Sequence, residues 1–153
     1  MIVAWTGHRE ERLLKRNSLI AIENRIYRWF DSVQPTRVIA GMAKGVDLMV
    51  CRVAHSLRVP CTAAVPWVGH SSNWSKRAQD EYIDLLEKCD RIQVTSDVAD
   101  YEVSVYSTRN RWMVDNCQVL AAVWDGEKDG GTYDAIAYAE KIARPISFLK
   151  WDD

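Results

Sequence analysis

The stretch Val38–Asp47, VIAGMAKGVD, decides the fold. A short apolar strand leads into a loop with two glycines, and the loop opens a helix whose apolar residues recur at helical spacing: Val46, Met49, Val50, Val53, Ala54 and Leu57. Parallel α/β proteins build phosphate sites from this unit, because glycine allows close backbone approach and a helix start favours an anion. The spacing of Gly41 and Gly45 fits neither a Walker A loop nor GxGxxG. The unit therefore predicts either a phosphate loop or a plain strand-to-helix turn.

The composition predicts one globular domain over residues 1–153. Hydrophobic residues make up 48% of the chain and charged residues 27%, as in soluble proteins. A formal net charge of −1 gives no long-range attraction to nucleic acid or anionic membrane. No apolar run reaches the roughly 18 residues of a membrane span, and MIVAW at the start resembles a strand rather than a signal peptide. We therefore expect a cytoplasmic protein without a membrane partner.

The four cysteines are scattered along the sequence, at Cys51, Cys61, Cys89 and Cys117. They form no CxxC motif, and no histidine stands at metal-ligand spacing. This pattern favours structural thiols in a reducing compartment over a zinc site or disulfides. We expect no metal site and no cofactor.

The first strand, predicted over residues 2–5, is followed directly by Thr6, Gly7, His8 and Arg9. The backbone at Gly7 can approach a phosphate, and the two side chains that follow can donate to it, arginine in a bidentate fork. First-strand carboxyl ends line the crevice of parallel sheets. In the alternative interpretation Arg9 simply opens a solvated charged run. Asp47 likewise either complements the helix dipole or accepts from a ribose hydroxyl.

Strands and helices alternate along the rest of the chain. The predicted helices cover residues 11–30, 46–57, 75–89, 106–116 and 132–143, and the predicted strands cover 37–40, 61–65, 90–94, 119–124 and 146–149. Thr132 is the expected N-cap of the last helix. This order predicts a doubly wound α/β fold, a three-layer αβα sandwich with a mostly parallel sheet and ligand loops at one edge.

A polar loop over residues 68–75 has an aromatic residue at each end, Trp67 just before it and Trp74 near its last residue. Either indole could stack on a purine, or both could pack beneath the loop. We expect His70, within this loop, to be exposed.

Five motifs together resemble the SLOG superfamily, a Rossmann-like group that includes the Smf/DprA DNA-processing proteins and the LOG phosphoribohydrolases. They are TGHR after the first strand, AGMAKGVD after the second, Pro-Trp after the third, an Arg-Asn helix, and DGGT after the fifth. Within this group the chain is most similar to the YpsA family of small bacterial and phage proteins. The spacing from Pro66 to Trp74, Tyr101, and Arg109-Asn110 support that branch.

The resemblance implies a nucleotide-type ligand across residues 41–45 and 130–132. LOG enzymes hydrolyse the N-glycosidic bond of nucleoside 5′-monophosphates with an arginine in Arg-Lys-Ala-x-Met and a glutamate in Gly-Gly-x-Gly-Thr-x-x-Glu. Here Arg109 and Met113 match the first motif, whereas Ala135 stands where the glutamate would be. Asp134 precedes it by one residue, about 100° around the helix. Asp134 either supplies the missing carboxylate or is a favourable charge near the helix start.

We therefore predict a SLOG-type protein that binds a nucleotide or nucleotide-derived small molecule. The predicted ligand-binding residues are Thr6, Gly7, His8, Arg9, Gly41, Met42, Ala43, Lys44, Gly45, Asp47, Trp67, Trp74, Asn110, Gly130, Gly131 and Thr132. The alternative is a LOG-like hydrolase of nucleoside monophosphates with Arg109 and Asp134 as catalytic residues. We expect no nucleic acid partner, because nucleic-acid affinity comes largely from basic surface. Exposed Trp and Tyr side chains would suit a homodimer.

Overall fold

The computed structural model describes residues 1–152, which contain six strands and six helices. In chain order they are β1 (Ile2–Gly7), α1 (Glu10–Leu13), α2 (Leu19–Val33), β2 (Arg37–Ala40), α3 (Val46–Ser56), β3 (Cys61–Val65), α4 (Lys76–Lys88), β4 (Arg91–Val94), α5 (Ser104–Asp115), β5 (Val119–Val123), α6 (Gly130–Lys141) and β6 (Ile146–Phe148). Among these residues, no helix combines the length and the apolar character needed to cross a membrane.

The six strands form one sheet in the order β4-β3-β2-β1-β5-β6, and each neighbouring pair is parallel. This confirms the predicted Rossmann-like α/β fold. The central strand β1 pairs with β2 on one side and with β5 on the other, so that Ala4 lies between Ile39 and Leu120. The strand order reverses at β1, and ligands of such sheets bind beyond the carboxyl ends of the strands at that reversal.

Each face of the sheet has its own apolar core. Side chains alternate between the faces along a strand, so Trp5 and Ala4 belong to different cores. The Trp5 core includes residues of α2, α3 and α4, and the Ala4 core includes residues of α5 and α6. The helices therefore cover both faces, as the three-layer prediction requires.

The prediction of one helix over residues 11–30 is wrong, because the structure has two helices there. The structure ends α1 at Leu13 and begins α2 at Leu19. Ser18 caps α2, because its Oγ accepts a hydrogen bond from the Ala21 backbone N–H at 3.1 Å, and Asn17 Oδ1 accepts from the Ser18 N–H at 2.8 Å. These side chains bond to the backbone in place of a continuing helix.

The last helix also begins earlier than predicted. Asp129, not Thr132, is the N-cap of α6, and Thr132 lies inside the helix. Gly130 has φ +83°, a conformation that glycine adopts readily, so the chain turns into the helix two residues before the predicted cap. Arg12 Nη2 donates to Asp129 Oδ1 at 2.7 Å and ties this turn to the segment after β1.

Candidate ligand-binding site

A cleft of about 480 Å³ opens beside the carboxyl end of β1. Four segments that are distant in sequence line it: the end of β1 with α1, the loop before α3, α5, and the start of α6. Eleven predicted ligand or catalytic residues are among its lining: Thr6, Gly7, His8, Arg9, Ala43, Asp47, Arg109, Asn110, Gly130, Gly131 and Thr132. The structure thus brings together residues from every predicted glycine loop.

The glycines of the loop before α3 lie behind the wall of the cleft. Gly45 has φ +106°, and a Cβ added there would lie 2.4 Å from the His8 carbonyl oxygen. The Val46 N–H donates to that same oxygen at 3.3 Å. Gly41, Met42, Lys44 and Gly45 are therefore not among the lining residues, and the loop serves to hold α3 against the segment that follows β1.

Arg109 is a buried side chain that supports this loop. Its Nη1 donates to the Gly41 carbonyl oxygen at 2.5 Å, and its Nε donates to Asn110 Oδ1 at 3.0 Å. Asp47 is buried beside it and accepts a hydrogen bond from the Ala43 N–H at 3.1 Å. A Cβ on Gly41 would lie 2.7 Å from Arg109 Nη1 and 2.9 Å from Asp47 Oδ2. The guanidinium and the carboxylate therefore both lie beneath the loop, next to Gly41.

The electrostatics of this pair follow from its burial. Burial raises the pKa of the Asp47 carboxyl, and the positive charge of Arg109 opposes that shift. Burial likewise lowers the pKa of Arg109, and the Asp47 charge opposes it. In each case burial disfavours the charged form, and the opposite charge of the other group is the strongest effect that opposes it.

His8 uses its Nε2 as a hydrogen-bond acceptor rather than as a donor to a ligand. Its Nε2 accepts a hydrogen bond from the Asp125 backbone N–H at 3.0 Å, and burial lowers the pKa of the imidazole. Both observations favour the neutral imidazole, against the opposing effect of the Asp125 carboxylate, whose Oδ1 lies 3.3 Å from Nε2. The Asp125 carboxylate binds Arg12, whose Nε donates to Oδ2 at 2.5 Å. Arg9 and Lys15 also line the cleft, and both are exposed at its rim. Unlike Arg12, they place their positive charge there without a buried carboxylate as partner.

Sequence reasoning missed six residues that line the cleft: Trp5, Glu11, Arg12, Lys15, Tyr106 and Met113. Tyr106 stands three residues before Arg109 on α5, a spacing that places both on one helix face. That signal was available in the sequence. Trp5 is fully buried, and its indole N–H has no hydrogen-bond partner within residues 1–152. Only the packing of β1 reveals that this strand residue reaches the cleft.

Neither Trp67 nor Trp74 lines the cleft. Trp67 packs near Tyr101, with ring centroids 6.3 Å apart, and Trp74 packs on Tyr82 at 5.2 Å. The expectation that His70 is exposed is wrong, since only 4% of its surface is accessible. Its ring lies 5.3 Å from that of Trp74, and burial lowers the pKa of His70 to about 3. The polar loop thus folds over its own aromatic residues.

Asp134 does not line the cleft, but it is hydrogen-bonded to Asn110, which does. Its Oδ2 accepts from Asn110 Nδ2 at 3.1 Å, and the same amide nitrogen donates to the Gly131 carbonyl oxygen at 3.2 Å. Since Arg109 donates to Asn110 Oδ1, the three polar side chains form one chain that links α5 to α6. Asn110 lines the cleft and Asp134 does not.

Comparison with known proteins places this sequence in a family. Residues 6–153 match the family model YpsA, described as the YspA SLOG family. The chain is 29% identical to the SPbeta prophage-derived protein YoqJ of Bacillus subtilis, over 69% of this chain and 70% of YoqJ. It is 24% identical to the B. subtilis protein YpsA, over 87% of this chain and 78% of YpsA.

Solved structures share the fold. DNA processing protein A (DprA) from Streptococcus pneumoniae has a TM-score of 0.70 at 15% identity, covering 95% of this chain, which spans about half (49%) of that protein. DNA processing protein A from Helicobacter pylori, solved for its single-stranded DNA binding mode, has a TM-score of 0.69 at 16% identity, covering 100% of this chain and 68% of that one. At these identities the likeness concerns the fold alone. The family model, which covers nearly the whole chain, shows that the protein belongs to the YpsA branch of the SLOG family.

Proposed function

We propose that this protein binds a nucleotide or a nucleotide-derived small molecule in the cleft beside β1, as a SLOG-type binding or sensor protein. The observation that carries the proposal is the convergence of four segments on one cleft of about 480 Å³. Small-molecule sites typically have volumes of about 300–1,000 Å³ and lie at such strand-order reversals.

The start of α6 is the proposed phosphate site. Gly130, Gly131 and Thr132 form its first turn and line the cleft. The N-cap Asp129 makes no side-chain hydrogen bond to the helix, so the first-turn N–H groups are available to an anion. Arg9 adds a guanidinium at the rim and lies 5.9 Å from the ring centroid of Tyr106. An aromatic base would pack against Tyr106.

Binding is favoured over hydrolysis by the positions of the two proposed catalytic residues. The Arg109 guanidinium is engaged by the Gly41 carbonyl, and the Asp134 carboxylate is engaged by Asn110. A hydrolase of the N-glycosidic bond needs a carboxylate at the reacting carbon. The LOG-like alternative predicts that incubation with nucleoside monophosphates releases free base, and that Asp134→Asn abolishes the release.

The first test is native mass spectrometry of the purified protein, followed by isothermal titration against a panel of nucleotides and nucleotide sugars. We expect one ligand per cleft with a dissociation constant well below millimolar. Arg9→Ala should weaken it by about 10–100-fold, because a hydrogen bond to a charged group contributes about 1.5–3 kcal/mol. The matched control is Arg111→Ala, an exposed arginine on α5 that packs on Tyr138. A panel without any binder, or equal losses in both variants, would contradict the proposal.

We do not include nucleic acid among the proposed ligands. The formal net charge is −1, and two basic side chains after β1 are already paired, Arg12 with Asp125 and Arg16 with Asp152. The DprA neighbours make a direct check worthwhile. A salt-dependent gel shift with single-stranded DNA would overturn this part of the proposal.

A homodimer in a reducing cytoplasm also remains a prediction. The edge strand β4 exposes Ile92 and Val94, by 53% and 38%, and exposed apolar side chains on an edge strand suit pairing with a second copy. The four cysteines are free thiols, which supports a reducing compartment. Light scattering after size-exclusion chromatography measures the oligomeric state.

A further inference from the structure

Three of the four cysteines meet in space although they are scattered in sequence. Cys51 lies in α3, Cys61 begins β3, and Cys89 is the C-cap of α4. Their sulfur atoms all lie within 4.8 Å of one another, and the Sγ atoms of Cys51 and Cys61 are 3.6 Å apart. Cys51 and Cys61 are buried, whereas Cys89 is half-buried. We call this group the thiol cluster.

The spacing of the thiol cluster matches what a tetrahedral ion requires. A Zn–S bond is about 2.3 Å long, so two sulfurs on a tetrahedral zinc lie about 3.8 Å apart. Cys51 and Cys61 are already at that separation. Since all three sulfurs lie within 4.8 Å of one another, no pair needs to close by more than about 1 Å, a shift that a rotation of the half-buried Cys89 side chain can provide.

A second cavity, separate from the ligand cleft, gives access to the cluster. It has a volume of about 240 Å³, and all three cysteines line it. His55, Arg58, Lys88 and Asp90 line it as well, and the Asp90 carboxylate is paired with Arg37 at 2.7 Å. Three thiolates around a divalent cation leave a charge of −1, which the Arg58 and Lys88 side chains would offset. The cavity also leaves room for a fourth ligand.

We propose that Cys51, Cys61 and Cys89 form a binding site for Zn²⁺, with three thiolate ligands and a fourth position facing the cavity. Thiolate donors select thiophilic cations, and zinc accepts this donor set in tetrahedral geometry. Binding releases the thiol protons to the solvent, so affinity rises with pH. The ion would link α3 and α4 to the first residue of β3.

The test uses the full chain, reduced and stripped of metal, titrated with Zn²⁺ against a chromogenic chelator and separately with Co²⁺. We expect one equivalent of zinc, and a thiolate-to-cobalt charge-transfer band in the near ultraviolet. Cys89→Ser should weaken zinc binding by more than about 100-fold, since even the loss of a group that orients a ligand costs about 10–100-fold. Cys61→Ala tests a second ligand.

The matched control is Cys117→Ser, because Cys117 is also a buried free thiol but packs in the other core, where its Sγ donates to the Val114 carbonyl oxygen. It should bind zinc as the unmodified chain does. Zinc should raise the unfolding temperature of the unmodified chain and of Cys117→Ser, but not of Cys89→Ser. Circular dichroism verifies that each variant is folded. Absence of the cobalt band, zinc binding that survives Cys89→Ser, or a Cys51–Cys61 disulfide in place of zinc would overturn the proposal.

Discussion

Replacing Arg109 with methionine tests whether the guanidinium supports the fold beneath the cleft. Arg109 and Asp47 are each 7% exposed, and the substitution leaves the Asp47 carboxylate and the Gly41 carbonyl without their cationic partner. Removing the charge that compensates a buried carboxylate costs about 3–5 kcal/mol. For a domain of this size each kcal/mol lowers the unfolding temperature by about 2–4 °C, so we expect a decrease of about 6–20 °C.

The assay is urea and thermal unfolding monitored by tryptophan fluorescence and circular dichroism. The matched control is Arg111→Met, an exposed arginine on the same helix, which should change the free energy of unfolding by less than about 0.5 kcal/mol. In the double variant Asp47→Asn/Arg109→Met the loss should be smaller than the sum of the two single losses by at least about 1 kcal/mol.

The pH dependence of Arg109→Met gives a second readout. Without the guanidinium the pKa of Asp47 rises further above its unfolded value, so the folded variant binds a proton that the unfolded chain does not. Its stability therefore falls as the pH rises, and the deficit should shrink as the pH is lowered from about 7 to about 5. A deficit below about 1 kcal/mol, or one that does not change with pH, would refute the reasoning.

Three further predictions concern single positions. Gly7→Ala should destabilise the protein by about 1–3 kcal/mol, because the new Cβ would lie 2.5 Å from Val46 Cβ; Gly131→Ala, whose nearest contact is at 3.9 Å, is the tolerated control in thermal unfolding. Ser18→Ala should cost about 0.5–2 kcal/mol through loss of the α2 cap, and an unchanged urea midpoint would contradict this. His70→Phe should flatten the decline in stability between about pH 6.5 and pH 3, because the folded pKa of His70 is lowered to about 3 and stability is lost as the pH falls through that window; equal slopes would show that His70 does not titrate there.

Periodicity and turn residues were enough to predict most of the fold. The strand Arg37–Ala40 and the helix beginning at Val46 lie where VIAGMAKGVD predicts them, because apolar spacing reports which side of an element is buried. The break between α1 and α2 escaped prediction although its signal is in the sequence, because Asn17 and Ser18 are residue types that favour helix starts and both bond to the backbone there.

The sequence predicted those parts of the candidate site that lie in glycine loops. It did not predict the residues that only side-chain packing brings together. Parallel topology places the carboxyl ends of the strands at one edge, which indicated that Gly7 and Gly131 would share a cleft. The thiol cluster joins residues up to 38 positions apart, from Cys51 to Cys89, and no local pattern encodes such a meeting. His70 stands in a polar loop of the sequence, which led us to expect exposure, whereas the folded loop buries it.

The central position of β1 makes the domain indivisible. Its neighbours β2 and β5 begin at Arg37 and Val119. The partners on one side of β1 are therefore 35 residues away in sequence, with α1 and α2 between them, and those on the other side are 116 residues away. A fragment ending before Val119 would present β1 as an open, apolar edge, the kind of surface that aggregates. The same fragment would lack the α6 wall of the cleft, so a chain split before β5 would complete the proposed site only when its two pieces reassociate through the β1–β5 pairing.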